Sequence, residues 1–227
     1  MQRCDMIYEE PQMVLEPHKF LKQKRDGKIK VRTVDGVNKQ KIYITKEDSS
    51  STTVSTEYVI LTSIVNDEEN RDVTVIDIPN AFIQTRVEEE KYMVIFKLRG
   101  FLVDIIYKLS SDYKAYVTRD KIGVKQLLIR CQNALYGTKV ASLLYYNKFT
   151  ESLTSIEFEI NPYNPCVANQ VIDGSHITIC FHIDEWKLIH RECKANDRMI
   201  KWIFQYYESI FDGGSGKMSV SQGKVHK

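Results

Sequence analysis

Cysteine pairing is the first thing this chain lacks. Its five cysteines, Cys4, Cys131, Cys166, Cys180 and Cys193, are odd in number and none is spaced C-x-x-C. No disulfide framework is indicated, so reduced thiols in an intracellular setting, cytoplasmic or nuclear, are expected. Long apolar runs are missing too. The stretch Tyr58–Ile64 is broken by Thr62 and Ser63, and nothing approaches the roughly 20 residues of a membrane span. The opening MQRCDMIYEEPQ has no apolar core of the kind a signal peptide carries. Internal repeats are absent, and only the Ser- and Thr-rich Ser49–Ser55 approaches low complexity. What remains is ordinary globular composition, 43% hydrophobic and 27% charged over 227 residues, enough for one large domain or two lobes.

Net charge is only +2, but it is unevenly spread. Lys19, Lys22, Lys24, Arg25, Lys28, Lys30, Arg32, Lys39 and Lys41 face only Asp26 and Asp35, giving that segment +7 and the rest of the chain −5. A basic arm on a slightly acidic body suits a polyanion partner, and a solvated surface hairpin accounts for the charge equally well. Asp26-Gly27 followed by the alternating Lys28–Arg32 predicts a hairpin with a two-residue turn. Val54, Tyr58, Leu61 and Val65 recur at helical spacing. Asp72–Ile78 and Leu127–Cys131 read as strands, Ala134–Thr154 and Asn196–Ile210 as amphipathic helices. Cys166–Ile172 and Ser175–Ile183 form a second hairpin across Asp173-Gly174, with Trp186–His190 as a further strand. Glu88–Gly123 is mixed and yields no clear element. Asp212–Lys227 shows neither a cap nor a core pattern. Strands interleaved with helices in this way predict an α+β fold with an antiparallel sheet.

In two places an acid ends an apolar strand. Val73, Val75 and Asp77 share one face by alternation. In the second segment Ile177, Ile179, Phe181 and Ile183 form the buried face, and Thr178, Cys180, His182 and Asp184 the other, with Glu185 next. Gathered carboxylates repel unless a cation or protons compensate. Mg²⁺ takes one or two carboxylates together with substrate phosphates, and a two-ion site supports phosphoryl transfer. Acids that merely close strands at the surface are the alternative. A third option is a Zn²⁺ module from Cys180, His182, His190 and Cys193, which have suitable ligand types but no standard spacing.

Five stretches in order carry a family resemblance: DIPNAF at Asp77–Phe82, ALYG at Ala134–Gly137 with Lys139, NPYNPCVAN at Asn161–Asn169, HIDE at His182–Glu185, and GKMSVSQGKVHK at Gly216–Lys227. Together they resemble the reverse transcriptase of copia-type LTR retrotransposons, over nearly the whole chain. The resemblance implies a right-hand polymerase palm, its antiparallel sheet packed on helices, plus fingers. It makes 1–227 a single reverse-transcriptase domain. Fingers fall mainly in 12–60 and 88–130, palm mainly in 61–87 and 131–211, with 212–227 a truncated tail and the thumb absent.

The implied activity is RNA-directed DNA synthesis from dNTPs on an RNA/DNA template-primer, with Mg²⁺ or Mn²⁺ and no membrane. Asp77 and Asp184 would hold the metal, and Glu185 would complete the catalytic acids. Phe82 would exclude a 2′-hydroxyl, the Ile78 amide and Arg32 would meet the triphosphate, and Tyr136 and Gly137 would border the nascent base pair. Lys22, Lys24, Lys28 and Lys30 would track template backbone. The sequence departs from the family at Glu185, where the family has Asp, at His182, where it has Tyr, and at Ser142 and Leu143, where Pro and Arg are common. Those departures predict weak or absent polymerisation, and an inactive nucleic-acid-binding remnant of the same fold is the alternative.

Overall fold

The computed structural model describes residues 14–23, 25, 27, 29–35, 54–68, 71–78, 81–88, 92, 94–172, 174–183, 185–191, 193–210 and 219–224. In chain order the elements begin with β1 (Val14–Leu15), β2 (Pro17–Gln23), β3 (Ile29–Asp35), α1 (Thr56–Glu68), β4 (Asp72–Asp77) and a 3₁₀ turn at Ala81–Gln84. There follow β5 (Val94–Arg99), α2 (Phe101–Leu109), a 3₁₀ helix at Ser111–Tyr116, β6 (Thr118–Arg119) and β7 (Lys125–Cys131). The rest comprises α3 (Ala141–Ser155), β8 (Glu159–Ile160), β9 (Val167–Ile172), β10 (Ser175–His182), β11 (Glu185–His190), α4 (Cys193–Ile210) and β12 (Ser219–Lys224). No helix among the described residues is long and apolar enough to cross a membrane.

The chain forms two compact units, one from Met1–Ser50 and Arg86–Ala141, the other from Ser51–Thr85 and Ser142–Lys227. The first unit holds a four-stranded sheet of order β1-β5-β7-β6 and the β2–β3 hairpin. That hairpin pairs Gln23 with Ile29, so five residues intervene where the sequence predicted two. Glu88–Gly123, unreadable in sequence, supplies β5, α2, the 3₁₀ helix and β6.

The second unit is built on a six-stranded sheet, β12-β4-β11-β10-β9-β8, in which every pairing is antiparallel. One face carries Ile76, Trp186, Leu188, Phe181, Ile179 and Ile177, all buried. α3 packs its side chains at four-residue spacing here: the Phe149 ring stacks on Trp186 at 4.0 Å and meets Phe181 edge-on at 4.8 Å. Met199 and Ile203 of α4 are buried as well, and the Tyr206 hydroxyl is hydrogen-bonded to Ser152 of α3.

α3 begins at Ala141 rather than at Ala134. Gly137 at φ 95° lies outside helical geometry, and the Thr138 hydroxyl donates to the Leu135 carbonyl at 2.9 Å, closing a turn instead. In α1, Leu61 is exposed although its spacing suggested burial, whereas Thr62 is half-buried beside Cys180. The segment expected to end without a core element contributes β12, whose residues Ser219–Lys224 pair with Asp77–Asp72.

Candidate active site

β4 ends at Asp77 because its Val, Thr and Ile residues pair with β11 on one side and β12 on the other, and the ladder stops there. Directly opposed residues share a face, so the register defines rows across the sheet. The row at the strand ends reads Ser219, Asp77, Glu185, His182. Asp77, Glu185 and His182 are exposed. Opposed Cβ atoms lie about 5 Å apart, close enough for like charges to destabilise each other unless something compensates. Asp184, between Ile183 and Glu185 in the chain, is outside the described residues. Among the described residues, no group of three or more His, Cys, Asp or Glu side chains is placed to hold a metal ion. The opposed carboxylates of Asp77 and Glu185 still form an all-oxygen pair of the kind a hard divalent cation uses alongside substrate phosphates.

Behind the acid row, the same face reads Val75, Lys187, Cys180, Val167. α1 covers this part. Val54 and Tyr58 pack on Val167, Cys180 and Ile189, and Lys187 Nζ donates to Ser63 Oγ at 2.7 Å. Burial pushes the Cys180 thiol up, although the Thr62 hydroxyl and the Lys187 charge pull the other way. Burial also pushes Lys187 down, partly offset by Cys180. Cys180 is therefore a core thiol. His190 lies on the opposite face of the sheet, beside the buried Trp186 and Leu188, and Cys180 and His182 do not share a site with it. The four-residue zinc reading is overturned by that alternation.

The turn between β10 and β11 contains Ile183 at φ 54°. A β-branched residue at positive φ is a genuine outlier, costing on the order of 1–3 kcal/mol. Trp186 Nε1–H donates to the Ile183 carbonyl at 3.4 Å. Ile183 also borders a small hollow, with room for about one water, lined by Ser142, Tyr145, Tyr146, Phe149, Cys166 and Phe181. Behind it the Asn-Pro-Tyr-Asn-Pro loop is held by two asparagines. Asn161 Oδ1 accepts from the amides of Tyr163 and Asn164, Asn164 Oδ1 accepts from that of Cys166, and Asn161 Nδ2 donates to the Tyr58 hydroxyl at 2.6 Å.

The other candidates are dispersed. Ile78 is fully buried, so only its backbone could face a ligand. Phe82 sits in the 3₁₀ turn after β4, 8% exposed, its ring edge-on to Tyr145 at 6.0 Å. Arg32 lies on β3 opposite Phe20, and Lys22 on β2 lies opposite Lys30. Lys24 and Lys28 are outside the described residues. Tyr136 is partly exposed and Gly137 has positive φ. Arg32, Tyr136, Gly137 and the lysines belong to the first unit, and Asp77, Ile78, Phe82 and Glu185 to the second. The reading of the sequence missed Lys187 and its tie to α1. Its alternation with Glu185 on one strand was the available signal. The strain at Ile183 had no signal, since isoleucine does not favour positive φ.

No family model matches this chain. It is 24% identical over 212 residues to the transposon Ty1-DR1 Gag-Pol polyprotein of Saccharomyces cerevisiae, covering 91% of this chain. The chain spans about 10% of that polyprotein's length. Among solved structures, a telomerase from Candida albicans in complex with a TWJ fragment of telomeric RNA aligns with a TM-score of 0.47 and 10% identity. That alignment covers 100% of this chain and 44% of the other, and a likeness of that strength does not establish a shared fold. The polyprotein match supports a retrotransposon origin for this sequence.

Proposed function

We propose that this chain is the RNA-directed DNA polymerase domain of a copia-type retrotransposon polyprotein, its second unit the palm and its first the fingers. The observation that carries the reading is the register of Asp77 against Glu185, which sets two carboxylates side by side at the open end of an antiparallel sheet. Asp184 adjoins Glu185 in the sequence, which adds a third acid to the motif. Neighbouring carboxylates are costly unless a cation offsets them.

On this reading Asp77 and Asp184 hold Mg²⁺ or Mn²⁺, and Glu185 supports the site from beside Asp77. When bound, the metal supplies charge neutralisation at phosphate oxygens and Lewis acidity toward a primer hydroxyl. The chain's own residues position the reactants. The Ile78 amide donates to a triphosphate oxygen, and the Phe82 ring limits room at the sugar's 2′ position. Arg32, Tyr136 and Gly137 take their nucleotide-facing roles from the motifs alone. Lys22 stands opposite Lys30 in the register of β2–β3, and two basic residues at neighbouring positions suit a template backbone.

The second reading, an inactive nucleic-acid-binding remnant, is favoured by Glu185 itself, whose extra methylene displaces a carboxylate where the family has Asp. Primer extension on an RNA template with dNTPs and Mg²⁺ or Mn²⁺ separates the two. Template-dependent products that vanish in Asp77→Asn support the polymerase. Binding of template-primer with no extension in either metal supports the remnant.

A further inference from the structure

We propose that the corner of the first unit formed by α2 and the following 3₁₀ helix is a docking surface for single-stranded nucleic acid, separate from the basic β2–β3 arm. Residues i and i+3 of a 3₁₀ helix eclipse one another, so Tyr113 and Tyr116 stand on one face of Ser111–Tyr116. Tyr107 of α2 and Tyr116 are each 38% exposed. Lys114 Nζ lies 5.8 Å from the centre of the Tyr107 ring, which places the two elements' aromatic and cationic groups together. Tyr107 and Tyr116 leave part of each ring to solvent, and an aromatic ring at the surface can stack on an unpaired base.

The charge balance favours a polyanion. Asp120 is taken up by Arg99 and Asp104 by Lys125. That leaves the exposed Lys108, Lys114 and Lys121 to outnumber the exposed Asp112. Aromatic faces interleaved with uncompensated lysines match the recognition of a single strand, in which rings meet bases and ammonium groups meet phosphates. A duplex hides its base faces and can use only the lysines.

The test measures fluorescence anisotropy of the full chain with a labelled oligothymidine, an oligouridine and a blunt DNA duplex, without dNTPs or divalent metal. Its outcome is therefore independent of whether the chain polymerises. Each of Tyr107→Ala, Tyr113→Ala and Tyr116→Ala should weaken single-strand binding by about fivefold to tenfold and leave duplex binding unchanged. The matching Tyr→Phe variants should keep parental affinity, since they keep the ring, and they control for damage to the fold. Lys108→Gln with Lys121→Gln should flatten the salt dependence for single strand and duplex alike. Parental single-strand binding in the alanine variants would overturn the proposal. So would equal losses on single strand and duplex, or binding of this surface to anionic vesicles in preference to oligonucleotides.

Discussion

At the scale of single residues, the opposition of Asp77 and Glu185 makes a prediction that needs no turnover. Neutralising one acid removes a like-charge pair worth roughly 0.2–1 kcal/mol. In chelator, Asp77→Asn should melt slightly above the parent. On adding Mg²⁺ or Mn²⁺ the parent should gain stability as ligand binding to the native state requires, and Asp77→Asn should not. A parent whose melting is indifferent to both metals would count against the metal reading of these acids. Phe82 is a more guarded case. Its ring is buried against Tyr145, so Phe82→Ala should cost about 3–5 kcal/mol of stability whatever its effect on sugar choice. Phe82→Leu keeps most of the volume, and ribonucleotide incorporation by that variant is the fairer measure of the gate. The thiols should also separate by position. Cys131 is half-buried whereas Cys166 and Cys180 are buried, so a thiol reagent under native conditions should label Cys131 well before the other two. Mass spectrometry of partially labelled protein reads that order directly.

At the scale of elements, the covering of the six-stranded sheet on both faces explains what the sequence hid. Alternation along Ile177–His182 identified the α3-facing side correctly, because Ile177, Ile179 and Phe181 are all buried. It could not show that α1 closes the other side over Cys180, since a half-polar series such as Thr178, Cys180, His182 reads as solvent-facing until its partner helix is known. The start of α3 was lost to Gly137, whose positive φ no helical periodicity reveals. β12 was illegible for a different reason: Ser219–Lys224 has no apolar pattern, and backbone pairing with β4 makes it a strand. The strand-end acids were legible because Asp77 follows an unbroken Val, Thr and Ile strand, and the register then supplied Glu185 as its neighbour.

The Cys180–Lys187 pair beneath α1 gives this layer a pH signature. Cys180 is raised above its ordinary 9.0 in the folded state, so its contribution to stability is present below that value and is lost as pH rises. Lys187 is lowered below its ordinary 10.5, so the folded state binds fewer protons there, and stability rises as pH climbs toward that value. The two slopes oppose each other. Urea unfolding from about pH 8 upward should show Cys180→Ala losing less stability with pH than the parent, and Lys187→Met losing more. Identical pH slopes in all three proteins would show that α1 does not desolvate this pair.

At the scale of the whole molecule, the central prediction is that this chain polymerises poorly and that Glu185 is one reason. Asp and Glu carry the same charge, so the field at the sheet end is nearly unchanged, and geometry is what differs. One methylene moves a carboxylate by about 1.5 Å, and Mg²⁺ demands near-ideal octahedral distances. A displacement of about 1 Å near a reacting centre can cost on the order of 100-fold in rate. The register sharpens the argument, because Glu185 stands directly opposite Asp77 and on the same face. Its carboxylate stands one methylene further from the backbone than that of an Asp at this register position beside Asp77. Mn²⁺ tolerates looser sites than Mg²⁺, so activity should be less impaired with Mn²⁺. The comparison is primer extension by the parent and by Glu185→Asp, each with Mg²⁺ and with Mn²⁺. Restoration should raise the rate with Mg²⁺ by about tenfold to 100-fold and narrow the gap between the two metals. Equal and robust synthesis by both proteins in Mg²⁺ would show that Glu185 lies clear of the ions, with Asp77 and Asp184 carrying them alone.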